Sequence, residues 1–290
     1  MCAQDAASPA AARLELGGAW HDTTRRALVM GILNRTRDSF FDGGSYLQLE
    51  ALLGRADRLV ADGADILDVG GRAGGVGTER VSVAEESERV GGAIEALRAR
   101  FDVPLSIDTW RAPVAAVGLS AGATLVNDMS GFADPEMLPT AVRHRASVVA
   151  THIRLPPGVP DPEPRYDDVV DDVAGALDEL VARAVAAGVP GERIVVDPGL
   201  DLGKTWRQSL RLLGAIERFA SGGRPVLVAA SNKIFLGRAL GLEPDERSIA
   251  TAAACTLAAA RGGGILRVHD ARIGRQGADL AAAVADAASA

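Results

Sequence analysis

The chain has 290 residues, 48% of them hydrophobic and 24% charged, with a formal net charge of −7 and a pI near 5.2. That length fits one large α/β domain or two small ones, and it buries a core without disulfide or metal staples. The acidic balance disfavours a nucleic-acid partner, which needs a basic face to release counterions, and points to a small-molecule partner.

In chain order, residues 1–22 read as a loose lead-in. They carry an early acidic residue and no apolar core of a secretory signal. Arg25-Arg26 precedes an apolar run that stops at Asn34, which a buried strand explains better than an export signal. From there, nearly continuous apolar runs fall at 27–34, 64–71, 103–109, 123–129, 146–153, 193–199, 225–231 and 265–270. Such runs are the mark of parallel strands covered on both faces. Longer stretches of helical period lie between them, several followed by a glycine suited to a helix C-cap (Gly63, Gly122, Gly188, Gly262). Eight strand–helix units match the size of a (β/α)8 TIM barrel, a single domain over residues 23–290. A doubly wound sheet has the same alternation, but its GxGxxG turn is missing; Asn34-Arg35-Thr36-Arg37 follows the first strand instead. No run reaches the ~18 apolar residues of a membrane span. Cys2 and Cys255 form no metal-spaced pair, so the expected compartment is a reducing cytoplasm.

The polar residues are concentrated at one place in the pattern. Asn34, Asp68, Asp108, Asn127, His152, Asp197, Ser231, Lys233, Arg267 and His269 all stand at or just beyond the carboxyl end of a strand. In a barrel these ends converge on one mouth, where barrel enzymes place their chemistry. Only Lys204 and Lys233 are lysine among the 31 basic residues, and both follow strand ends. Asp108, Asn127, Asp197 and Lys233 form a donor–acceptor set suited to a flat heterocycle rich in ring nitrogens. The two aspartates could equally cap the following helices. Arg267 and His269, two apart on a strand, face one side and with Asn34 suit a phosphate or pyrophosphate; they could equally satisfy buried carboxylates. Zinc hydrolysis and Ser/His/Asp acyl transfer find no motif.

The blocks MGILNRTRDSFFDGG, DILDVGG, SIDTW, LVNDMSG, VVDPGLDLGK, SNKIFLG and RVHD resemble, in order and spacing, the signatures of the dihydropteroate synthases. The resemblance covers about residues 27–270. It implies a barrel, a homodimer, and the joining of a dihydropterin pyrophosphate to p-aminobenzoate with Mg²⁺, releasing pyrophosphate. It implies that Asp108, Asn127, Asp197 and Lys233 bind the pterin, that Asn34 helps hold Mg²⁺, and that Arg267 and His269 take the pyrophosphate. Asp42 matches the aspartate that closes over the site and supports the developing pterin cation, so Asp42, Lys233 and Arg267 are the catalytic candidates. Several positions depart from the family pattern. Arg35 and Arg37 replace a valine and a proline, and Gly71-Arg72-Ala73-Gly74-Gly75-Val76-Gly77 replaces G-G-E-S-T-R-P-G. Leu202 stands for an aromatic residue and Ile234 for a hydroxyl-bearing one. These losses fall mainly on the amine side. The alternatives are therefore a paralog that binds the pterin but has changed or lost the p-aminobenzoate step, and a pterin-binding methyltransferase domain.

Overall fold

The computed structural model describes residues 12–34, 45–72 and 81–289. Asp42, Arg35 and Arg37 lie outside the described residues, as does the second loop beyond Arg72. Eight parallel strands close into a barrel in the order β10-β3-β4-β5-β6-β7-β8-β9. They are β3 (Leu28–Asn34), β4 (Ile66–Gly70), β5 (Leu105–Asp108), β6 (Leu125–Asp128), β7 (Ser147–Thr151), β8 (Ile194–Asp197), β9 (Val226–Val228) and β10 (Gly263–Val268). Each lies within, or starts two residues before, an apolar run found in the sequence. Closure rests on β10 pairing with β3, Ile265 opposite Leu28 and Val268 opposite Gly31. That pairing excludes the open-sheet alternative.

The apolar runs are continuous because every strand has two buried faces. Leu28, Met30, Ile66, Leu125, Val149, Val195, Leu227 and Ile265 fill the barrel interior. The alternate residues pack outward against the helices, as Val29, Leu67, Val126, Val148, Ile194 and Leu266 do. The four glycines read as C-caps all have positive φ, from 90° to 116°.

The lead-in needs correcting over its second half. β1 (Arg13–Leu16) and β2 (Ala19–Asp22) form an antiparallel hairpin turned by Gly17 and Gly18, both at positive φ. Leu14 and Leu16 are fully buried and join the interior cluster, where they stop the amino-terminal end of the barrel. Glu15 accepts two hydrogen bonds from Arg193, at 2.7 and 2.9 Å, and so ties the hairpin to the start of β8.

Candidate active site

The carboxyl ends of the strands open into a cavity of about 430 Å³ lined by Asn34, Arg72, Asp108, Lys233 and Arg267 among others. Beneath it, Arg267 donates through Nε to Asp68 Oδ2 at 2.7 Å and through Nη2 to Asp108 Oδ2 at 2.6 Å. Asn127 donates from Nδ2 to the same Asp68 oxygen at 3.1 Å. Arg267 thus does satisfy buried carboxylates, the second possibility its position in the sequence allowed. The site acquires from this a rigid floor, with Asp68 wholly buried below and Asp108 facing the cavity. Asp68 Oδ1 is buried without a partner.

Burial pushes the Asp108 carboxyl up to about 7, with Arg267 opposing and Asp68 reinforcing the rise. Two carboxylates share one guanidinium here, so the cluster holds a proton close to neutrality. Asp197 is raised for the same reason and accepts from the Gly199 N–H at 2.7 Å, a turn contact that leaves its other oxygen available.

Lys233 donates to the Leu200 carbonyl at 3.0 Å, which holds its ammonium on the cavity wall. Asp201 fastens this corner, because one carboxylate oxygen accepts from the Phe235 N–H at the start of the helix Ile234–Leu240 and the other from Ser209 Oγ. His269 is hydrogen-bonded to Ser231 and Arg55 rather than to Arg267 or its carboxylates. Ser231 Oγ accepts from its backbone N–H at 3.2 Å and sits 3.0 Å from Nδ1. Burial, together with Arg267, Arg55 and Lys233, lowers the imidazole to about 4, so His269 is neutral at pH 7. With the Ser231 proton directed at Nδ1, His269 presents an Nε2–H donor rather than a cation.

Three residues carry more of the site than their places in the sequence indicate. Asp68 anchors the floor, although its only signal is its place at a strand end. Lys204 is buried and donates to the Leu202 and His152 carbonyls at 3.0 and 3.3 Å, with Nζ 2.9 Å from His152 Nδ1. Burial drops that lysine to about 7 and its histidine partner to about 3, so His152 accepts. Arg72 lies over the Trp110 ring, 3.6 Å from its centroid.

A metal would meet a sparse ligand set. Among the described residues no three His, Cys, Asp or Glu side chains cluster to hold one. Asn34 Oδ1 lines the cavity beside Gly70, where no side chain intervenes. One amide oxygen suits a Mg²⁺ that brings its remaining oxygens from phosphate and water, the usual habit of that ion.

Fold and floor together place the chain in the class of pterin-binding barrels, and the family described as pterin binding enzyme matches residues 30–269. The dihydropteroate synthase of Bacillus subtilis is 42% identical over 246 residues, 84% of this chain and 84% of that protein. A Mycobacterium leprae relative, inactive dihydropteroate synthase 2, is 41% identical and covers 89% of this chain and 91% of its own length. A probable bifunctional folylpolyglutamate synthase/dihydropteroate synthase of Haloferax volcanii is 43% identical over 87% of this chain, which spans 29% of that protein. The Yersinia pestis dihydropteroate synthase solved with a sulfonamide drug superimposes with a TM-score of 0.87 at 35% identity, covering 95% of this chain and 99% of that one. The Xanthomonas albilineans enzyme solved with 4-aminobenzoic acid gives 0.85 at 37% identity over 97% and 99%. The chain belongs to the dihydropteroate synthase family.

Proposed function

We propose that this chain binds a 7,8-dihydropterin pyrophosphate in the barrel mouth and transfers its methylene to an aromatic amine, p-aminobenzoate in the family's reaction. The observation that carries the reading is the polar set at the strand ends: Asp108 and Lys233 line the cavity, Asn127 is bound to Asp68 beneath, and Asp197 ends β8. It offers acceptors to the amino and N–H groups of a pterin edge and an ammonium to its carbonyl or ring nitrogen. The ring then lies flat with its methylene toward Asn34, Arg267 and His269. The C–O bond breaks with its electron pair leaving on pyrophosphate, the amine nitrogen attacks the methylene, and the amine proton passes to water. Asn34 would hold Mg²⁺, which when bound stabilises charge on the leaving group. Asp42 would support the developing pterin cation in this reading. Dihydropteroate formation from the two substrates with Mg²⁺ tests it. Turnover abolished by Lys233→Ala supports it, and a folded chain that binds no pterin overturns it.

Ionised Asp108 accepts from the ring, and its protonated form loses that acceptor. Pterin binding is therefore expected to weaken as pH falls through about 7, approaching tenfold per pH unit below it. Calorimetric titration between pH 5.5 and 8.5 checks this, and Asp108→Asn should flatten the profile.

A second reading, in which the amine step is changed or lost, is favoured by the wall opposite the floor. Ile234 is 62% exposed and lines the cavity with Leu155, Pro156 and Val159. A carboxylate there finds apolar neighbours. Ile234→Ser is expected to tighten p-aminobenzoate binding by about 10-fold or more, the worth of one hydrogen bond to a charged group. Unchanged affinity in a titration of the pterin-saturated protein would show that the carboxylate lies elsewhere.

The homodimer reading rests on the helices Ser248–Ala260 and Ala271–Ser289. Ile249 and Leu257 are 85% and 53% exposed on the first, and Leu280 and Val284 57% and 60% on the second. Apolar stripes of this kind on neighbouring helices suit a partner copy. Ile249→Arg should lower the mass by light scattering from twice 29.9 kDa to 29.9 kDa. A buried free thiol at Cys255 is in keeping with a cytoplasmic setting, and no described helix is long and apolar enough to cross a membrane.

A further inference from the structure

Among the described residues three cations line the cavity, and two of them are engaged. Arg267 is held by Asp68 and Asp108, and Lys233 donates to the Leu200 carbonyl. Arg72 has neither a hydrogen bond nor an ion pair among the described residues, and its Nε is buried without a partner. An Nε–H buried in this way stays unsatisfied unless something arrives to pair with it.

The support beneath Arg72 is built. Glu86 is fully buried and accepts from Thr109 Oγ1 at 2.8 Å and from Arg111 Nη1 at 2.9 Å. Those two residues flank Trp110 and fix the ring on which Arg72 lies. On the other side, Arg89 Nη1 donates to the Gly71 carbonyl at 3.1 Å, which holds the backbone next to Arg72. Stacking restricts the guanidinium to a plane and leaves its edge for a ligand. Burial, with Arg111 adding to it, pulls Arg72 below the ordinary arginine range, while Glu86 and Asp108 oppose the fall without making a hydrogen bond or ion pair to it.

Location selects the ligand. Arg72 follows β4, whose last residue, Gly70, pairs with Asn34 on one side and Asp108 on the other. It therefore belongs to the Asn34–Arg267 end of the cavity, away from the apolar wall at Ile234. We infer that Arg72, carried on the Trp110 ring, is a specificity-determining residue that binds the pyrophosphate of the pterin substrate and discriminates it from the unactivated alcohol. This rests on the pterin reading proposed above. Arg72 acts on the leaving group directly, and Trp110 is a positioning residue. The departing oxygen gains charge as the C–O bond breaks, so the same contact favours departure.

The test compares two ligands on the intact chain in Mg²⁺ buffer: 6-hydroxymethyl-7,8-dihydropterin pyrophosphate and 6-hydroxymethyl-7,8-dihydropterin. Arg72→Gln should weaken the pyrophosphate ligand by about 10–100-fold and leave the alcohol within about twofold. Its salt dependence should also become shallower, because one cation–phosphate contact is gone. Trp110→Leu should show part of the same selective loss, and Arg72→Lys should recover part of the charge contact without the stacked plane. Equal losses on both ligands would make Arg72 a structural residue and overturn the inference, as would unchanged pyrophosphate affinity in Arg72→Gln. If the unsubstituted, folded chain binds neither ligand, the pterin reading itself fails and this assignment with it; alcohol binding without a pyrophosphate advantage sinks the assignment alone.

Discussion

Arg267→Ala is expected to destabilise the chain by about 3–5 kcal/mol near neutral pH, the cost of leaving buried charge without its partner. Arg267 bridges Asp68 and Asp108, and its side chain is 18% exposed. Without it, two carboxylates face each other under the cavity. The effect has a sign in pH. Asp108 already stands above its unfolded value of 3.8, at about 7, and loss of the cation raises it further. Between those values the folded state binds a proton that the unfolded chain does not, so folding is favoured as pH falls. Urea unfolding at pH 7.5 and pH 5.5 should therefore show a deficit that narrows at the lower pH. Asp68→Asn added to Arg267→Ala should restore part of the loss at pH 7.5. A deficit below about 1 kcal/mol, equal at both pH values, would mean that the carboxylates are well solvated after all.

The second large effect concerns rate. Lys233→Ala should lower kcat/KM for methylene transfer by about 10²–10³-fold, the usual consequence of removing one preorganised donor from a reacting group. Burial lowers the ammonium, while Asp201 and Asp197 hold it up, so the charge depends on those neighbours as well as on water. Lys233→Arg should not rescue the rate. The planar fork is larger than the ammonium and cannot keep both the Leu200 carbonyl and a ring atom in line. Initial rates with saturating amine separate this from a folding defect, which thermal unfolding of the same variants would reveal. A loss below about fivefold would move Lys233 out of the ring contact.

The barrel strands were legible because each has to be apolar on two faces, a requirement met by Leu28–Asn34 and Ile66–Gly70 almost residue for residue. The polar strand ends were legible by contrast with those runs. Closure was not, since the β10–β3 pair joins segments at opposite ends of the chain and periodicity carries no such information. The β1–β2 hairpin escaped because four-residue strands contribute only Leu14 and Leu16 to the core. In the site, residue types at strand ends were readable, but their pairing was not. Arg267 meets Asp68 across 199 positions, and nothing local to either shows which charge will be satisfied and which kept for a ligand. Lys204 illustrates the same limit. Its rarity marked it out, yet its burial against His152 follows only from how the loop after β8 folds back over β7.

The hairpin at the opposite end from the site has a consequence for traffic. With Leu14 and Leu16 capping an interior already filled by Met30, Ile66, Leu125 and their neighbours, nothing reaches the strand-end cavity through the barrel. A ring seated on the Asp108–Asn127 floor lies at the back of a dead end, and anything binding above it blocks its exit. The pterin must then enter before the amine, and pyrophosphate must leave past whatever waits at the rim. The order of arrival and departure is thus imposed by the packed barrel behind the reacting atoms, which the hairpin completes at its far end.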